Sequence, residues 1–182
     1  MKSLSLLAIA LLLPVISSVA QSDWKPQAAT VKFSIRNAGI KVNGTFGGFG
    51  GTIRFDPAQP GQGQIEASVE ARTVDTGINA RDNHLRKAEY FDVANHPRIT
   101  LKSVRLAAAG SGKYNGVFQL TLKGVAKEVE IPFTFTEASG TGVFAGSFQI
   151  DRRTYGVGGN SWVMGDEVTI DISMRAVRQA KN

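Results

Sequence analysis

From Thr30 onward the chain alternates apolar and polar side chains with a period of two, the spacing of half-buried β-strands. "TVKFSIR" sets Val31, Phe33 and Ile35 against Lys32, Ser34 and Arg36. "GQIEASVEAR" sets Ile65, Ala67, Val69 and Ala71 against Glu66, Ser68, Glu70 and Arg72. In "VAKEVEIPFTFTE" Val125, Lys127, Val129, Ile131, Phe133 and Phe135 share one parity, with Lys127 beyond the buried stretch. In "EVTIDISMRAV" Val168, Ile170, Ile172 and Met174 oppose Thr169, Asp171, Ser173 and Arg175. With "GIKVNGTFGGFGGTIRFDP", "RITLKSVRL", "GVFQLTLKG" and "VFAGSFQIDR" this makes eight strand-like segments, separated by turn residues such as Asp56-Pro57, Gly110-Ser111-Gly112 and Ser139-Gly140. Strands of this kind build an all-β sandwich or a closed antiparallel barrel, and no βαβ alternation is present.

Two stretches interrupt the pattern. "NARDNHLRKAEYF" loses the period of two, and Leu85 and Ala88 lie three apart; it predicts one helix over about 80–89, with Asn79 as N-cap and Asp82 in the first turn. "GTFGGFGGTI" lacks the spacing and the following helix of a phosphate loop. Its glycines, and the parity switch between Phe46 and Ile53, predict a bulge or sharp bend instead. "RTYGVGGNSW" reads as a loop bounded by Tyr155 and Trp162.

Composition adds the compartment. "MKSLSLLAIALLLPVISSVA" carries Lys2, an apolar run from Leu4 to Ile16, and small residues at Ser18 and Ala20, the pattern of a signal peptide over residues 1–20 cleaved after Ala20. The run is shorter than the roughly 20 apolar residues that span a bilayer. Residues 21–182 then form one domain, expected to be periplasmic or secreted. The chain has no cysteine, which excludes disulfides, thiol catalysis and thiolate metal sites. Its formal charge of +6 falls by one when Lys2 leaves, enough to steer anionic partners, but no basic run favours nucleic acid.

The candidate chemistry gathers in "ARDNHLRKAEYFDVANHPRITLKS", which holds both histidines, His84 and His96. The positions three and four residues from His84 are Ala80, Arg81, Lys87 and Ala88, none of which coordinates a metal, so no metal site is expected. Asp82, Glu89 and Asp92 are interleaved with Arg81, Arg86 and Lys87. Such neighbours keep carboxylates ionised and argue against a poised general acid. No G-x-S-x-G elbow is present, and no catalytic residue is assigned.

The same residues carry a resemblance. "RDNHLRKAEYFDVANHPRITLKS" is similar to the signature of the YceI-like family, R-D-x-H-L-R followed by two aromatics with Asp, then Pro and Lys-Ser. "GTFGGFGGTIRFDP", "LTLKGVAKEVEIPFTF", "FQIDRRTYGVG" and "GDEVTIDISM" resemble its further segments in order, with Ala126 where threonine is common. The resemblance implies an extended lipocalin-like antiparallel β-barrel of about eight strands, with one short helix near its mouth. It further implies an exported protein, often dimeric, that encloses a long apolar lipid such as a polyisoprenoid, an isoprenoid quinone or a fatty-acid derivative. No cofactor is expected beyond that lipid.

On this reading the inward side chains line a tunnel: Phe46, Phe55, Leu101, Phe118, Leu120, Phe133, Phe135, Phe148 and Ile150, with Leu85, Tyr90, Phe91, Tyr155 and Trp162 at the rim. Arg81, Arg86, Arg152 and Arg153 are the candidates for a lipid head group, and Asp82 and His84 for fastening the helix. A transient contact with a membrane surface and a homodimer are compatible partners. Two rival readings stand beside this one: an enzyme acting on a lipid or quinone at the barrel mouth, and a structural or interaction module whose barrel is simply full.

Overall fold

The computed structural model describes residues 22–180. The signal peptide expected over residues 1–20, and its cleavage point, lie outside the described residues. Nine strands follow in chain order: β1 Asp23–Asn37, β2 Ile40–Phe46, β3 Gly50–Arg54, β4 Gln64–Glu70, β5 Arg98–Ala108, β6 Lys113–Leu122, β7 Val125–Ala138, β8 Thr141–Asp151 and β9 Met164–Arg178. Among the described residues one α-helix, α1 Asn79–Leu85, lies between β4 and β5. Every pairing is antiparallel, and β9 returns to β1 from Trp24↔Arg178 to Asn37↔Met164, which closes the barrel.

The eight expected segments correspond to eight staves, one of them broken in two. β2 pairs with the far half of β1, from Val31↔Phe46 to Asn37↔Ile40, while β3 pairs with its start, Asp23↔Arg54 and Trp24↔Ile53. The break at 47–49 is the predicted bend, and its glycines have steric reasons. Gly48 has φ +64°, and a Cβ on Gly51 would lie 2.4 Å from the Glu66 carbonyl oxygen of β4. On β1 the register shifts between Pro26 and Ala28, a bulge that seats a residue with no N–H to donate.

The helix is shorter than expected. Ile78, in extended conformation, occupies the N-cap, its carbonyl accepting from Asp82 N (3.0 Å), and Asn79 begins the helix without a side-chain cap. Beyond Leu85 the chain tightens into successive turns: Lys87 N donates to His84 O (3.1 Å), Phe91 N to Leu85 O (3.0 Å) and Val93 N to Arg86 O (3.2 Å). Those turns bring Leu85, Tyr90 and Phe91 together on the barrel, which a straight helix to residue 89 would not.

The interior has two halves. At the end where β1 begins, inward side chains form a packed aromatic cluster. Phe55 is wholly buried and sits 5.0–5.9 Å from the rings of Tyr114, Phe133, Phe135 and Phe144, mostly edge to face. Trp24 packs on Phe135 and donates from Nε1 to the Phe55 carbonyl (2.9 Å). At the opposite end the staves part in two places. β2 leaves β4, held to it by Glu70 N to Gly47 O (3.0 Å) and followed by the 71–97 segment. Among the described residues β7 pairs with β8 only from Phe133↔Gly146 to Ala138↔Thr141.

Candidate functional site

The open half of the barrel is hollow. A cavity of about 140 Å³ lies there, roughly ten times the space one water needs on the same measure. Its wall is built by strand parity. β1 contributes Val31 and Phe33, and β9, paired to them as Ile172 and Ile170, the facing positions. β5 and β6 supply Ile99, Leu101, Leu120 and Leu122, and β8 supplies Phe148 and Ile150. Val31, Phe33, Ile99, Leu101, Ile150, Ile170 and Ile172 point inward yet remain only half-buried, because part of each borders the cavity. The polar residues at its boundary are few: Lys32, Ser68, Thr100 and Arg152, beside the Tyr90 ring.

The segment after β4 covers this end. Leu85, Tyr90 and Phe91 border the cavity, and the Phe91 ring meets Phe46 edge-on at 5.2 Å, Phe46 in turn lying 5.3 Å from Phe33. Polar side chains anchor the segment. Asp82, 4% exposed, accepts at Oδ1 from Thr76 N (2.9 Å) and from the Thr76 hydroxyl. Arg81 donates from Nε to Thr76 Oγ1 (2.7 Å) and from Nη2 to Thr76 O (2.8 Å). Arg86 donates to the Arg72 and Val74 carbonyls and to Asn83 Oδ1. His84 packs edge-on against Tyr90 at 4.9 Å, whereas His96 sits over the Lys123-Gly124 turn, where a Cβ on Gly124 would lie 2.7 Å from its ring. Among the described residues no three His, Asp or Glu side chains are grouped as a metal site would require.

A second cover, the 156–163 loop, is organised by one buried arginine. Arg152, 2% exposed, donates from Nε to Gly165 O (2.8 Å), from Nη1 to Val157 O (2.7 Å) and Gly159 O (2.8 Å), and from Nη2 to Met164 O (3.2 Å) and Asp166 Oδ1 (2.9 Å). A guanidinium has five N–H donors, and all are used, two on the loop and three on the start of β9. Arg152 therefore has none left for a ligand head group. Arg153, half-exposed, reaches Asp166 Oδ2 (3.1 Å) and faces solvent. The cover is completed by Lys123 Nζ donating to Gly156 O (2.7 Å) and Glu89 O (3.3 Å), and by Gly158 N to Glu89 O (2.8 Å).

Of the residues expected to line a tunnel, Phe46, Leu85, Phe91, Leu101, Leu120, Phe148 and Ile150 border the cavity. Phe55, Phe118, Phe133 and Phe135 instead lie in the packed half, buried among one another's rings and not bordering this cavity. Tyr155 is buried in the core cluster behind the loop, and burial raises its hydroxyl pKa above the ordinary value of 10.0; Tyr114 is raised by burial and by the nearby Asp56. Trp162 stands fully in solvent. Phe49, Met164, Val168, Ile170 and Ile172 border the cavity without having been among the candidates. The β9 residues carried a signal, since their parity matches that of Val31 and Phe33, but Phe49 lies within the glycine bend, where parity is lost.

Comparisons with known proteins agree with this architecture. The model of the YceI-like domain matches residues 23–176. A UPF0312 protein of Azotobacter vinelandii is 30% identical over 167 residues, covering 86% of this chain and 85% of its own. One from Pectobacterium atrosepticum is 34% identical over 132 residues, covering 70% and 68%. Among solved structures, Burkholderia cenocepacia BcnA superposes with a TM-score of 0.78 at 29% identity, over 82% of this chain and 96% of that one. A polyisoprenoid binding domain from Saccharophagus degradans, implicated in plant cell wall breakdown, gives 0.69 at 14% identity, over 88% and 99%; that likeness is one of fold. A closed antiparallel barrel whose helix-bearing end is hollow, matched over nearly all its described length, places the chain in the YceI-like family.

Proposed function

We propose that this protein binds one long apolar lipid, a polyisoprenoid, an isoprenoid quinone or a fatty-acid derivative, in the hollow half of its barrel. On this reading it carries, stores or shields that lipid in the cell envelope as a periplasmic or secreted protein, without a cofactor and without catalysis. The observation that carries the reading is the set of inward-facing, half-buried aliphatic and aromatic side chains around the cavity. A packed barrel would bury them; here their surface is available to a guest. Removing an apolar chain from water yields about 25 cal/mol per Å², so a ligand with no polar groups along its length can be held by such a wall alone.

The polyisoprenoid binding domain of Saccharophagus degradans shares this fold, which supports an isoprenoid chain as the guest. The charged residues of α1 support binding rather than chemistry. Asp82 is turned onto Thr76 and Arg81 onto the same residue, so these bonds position a cover. Arg81 and Arg86 keep unused N–H donors near the mouth and remain candidates for a head group.

Organic-solvent extraction of the purified protein, followed by mass spectrometry, tests the reading. The expected result is a long-chain lipid in near-stoichiometric amount, depleted in Leu120→Arg, which sets a cation in the cavity wall. If no lipid is recovered, and the protein takes up neither prenyl alcohols nor fatty acids added afterwards, the reading fails.

A further inference from the structure

The 156–163 loop has two sides of opposite character. Val157, just inside its start, and Met164, just past its end, border the cavity. Gly158 presses on both Met164 and Tyr90: a Cβ there would lie 2.6 and 2.8 Å from them. Its tip does the reverse. Trp162 is 103% exposed and Val163 61%. The tip abuts the turn between β1 and β2, where Ala38 N donates to Val163 O (2.6 Å) and Ile40 is 70% exposed. Three large apolar side chains thus stand in water on adjoining segments at the hollow end.

This exposure is held in place. Arg152 ties the first half of the loop, at Val157 and Gly159, to the start of β9 at Met164, Gly165 and Asp166. The tip is fastened by Val163 N and Met164 N donating to Ser161 Oγ and by Ala38 N donating to Val163 O. Just behind it Arg36 and Lys41 face each other across β1 and β2, and neither has an ion-pair partner among the described residues. On β8–β9 Asp166 is shared by Arg152 and Arg153, Asp151 accepts from Arg153 N and Glu167 lies opposite Asp151. The other carboxylates of this end, Asp75, Asp82, Glu89 and Asp92, belong to the 71–97 cover. An indole flanked by aliphatic residues, with unpaired cations set back from it, matches the depth profile of a bilayer interface.

We infer that the Trp162–Val163 tip and the Ile40 turn form a docking site for a bilayer surface containing anionic phospholipid, which brings the hollow end of the barrel against the membrane. The inference deepens the lipid-binding reading and rests on it, because a guest that is insoluble in water must be exchanged at a membrane. Docking by this end lets the lipid pass under the covering segments without crossing solvent.

Trp162 reports on the site directly. The chain has two tryptophans, and Trp24 is 2% exposed in the packed half. Vesicles of phosphatidylcholine with one quarter phosphatidylglycerol are expected to shift the emission to the blue, and brominated lipid to quench it. Ile40→Ser/Val163→Ser is expected to weaken partitioning about tenfold. Arg36→Gln/Lys41→Gln is expected to weaken it about thirtyfold and to remove the preference for anionic vesicles. Absence of a shift in the wild-type protein, or unchanged partitioning of either variant, overturns the inference.

Uptake of a dansylated fatty acid without vesicles separates the two readings. Ile40→Ser/Val163→Ser is expected to bind the probe like the wild type. Wild-type protein that takes up the probe but ignores vesicles refutes docking alone. Protein that docks but takes up neither probe nor prenyl alcohol refutes the cavity reading alone.

Discussion

Arg152 and Arg153 are adjacent and chemically identical, and the fold gives them unrelated roles. Arg152 lies between the loop and the start of β9 with four carbonyls and Asp166 around it, while the Arg153 guanidinium is ion-paired to Asp166 and half-exposed. The planar fork matters as much as the charge, because a lysine ammonium offers three donors from one point and cannot span partners on opposite sides. Each carbonyl left without its donor costs about 1–3 kcal/mol if it stays dry. Arg152→Lys is therefore expected to lose about 2–3 kcal/mol in urea unfolding, and Arg153→Lys less than about 0.5 kcal/mol. Equal effects of the two substitutions would show that the loop is not organised as described.

At the level of elements, the strands were legible because each has one face in water, and a residue's parity then states its side. The broken second stave shows where that rule ends. Phe46 and Ile53 change parity across 47–49, a bend that glycine content announces but whose geometry depends on the neighbouring strand. Gly51 is the clearest case, since the atom its Cβ would strike belongs to the β4 backbone and cannot swing aside. Gly51→Ala is expected to cost about 1–3 kcal/mol in chemical denaturation; Gly77→Ala, with open space around it but φ +79°, carries only the strain of its backbone conformation. The helix was legible in kind but not in extent. Its last expected residues, Lys87 to Glu89, are good helix formers, and tertiary contacts of Tyr90 and Phe91 override them. Which phenylalanines line the cavity was not legible, because Phe46 and Phe55 both lie on inward faces and differ only in distance along the barrel axis. That distance is set by the shear of the closed sheet, which no local pattern encodes.

For the whole molecule, the two halves of the interior set stability and binding against each other. The aromatic half holds the barrel together with rings at 4.6–6.4 Å, whereas the hollow half keeps apolar surface unpacked, which costs dispersion contacts. A cavity that serves a ligand is thus a reservoir of stability that filling would release. Ala67 tests this. It borders the cavity on β4, half-buried, opposite Gly51 on one side and Leu101 on the other. Ala67→Leu adds three carbons inside the wall, so the lipid-free variant is expected to be more stable than lipid-free wild type by about 1 kcal/mol, the transfer gain less the lost side-chain freedom. Delipidated wild-type protein should gain thermal stability when a prenyl alcohol is added, through preferential binding to the folded state. The variant should gain much less, because its own side chain occupies the space. A variant that is stabilised but responds to prenyl alcohol like the wild type would place the guest elsewhere in the barrel.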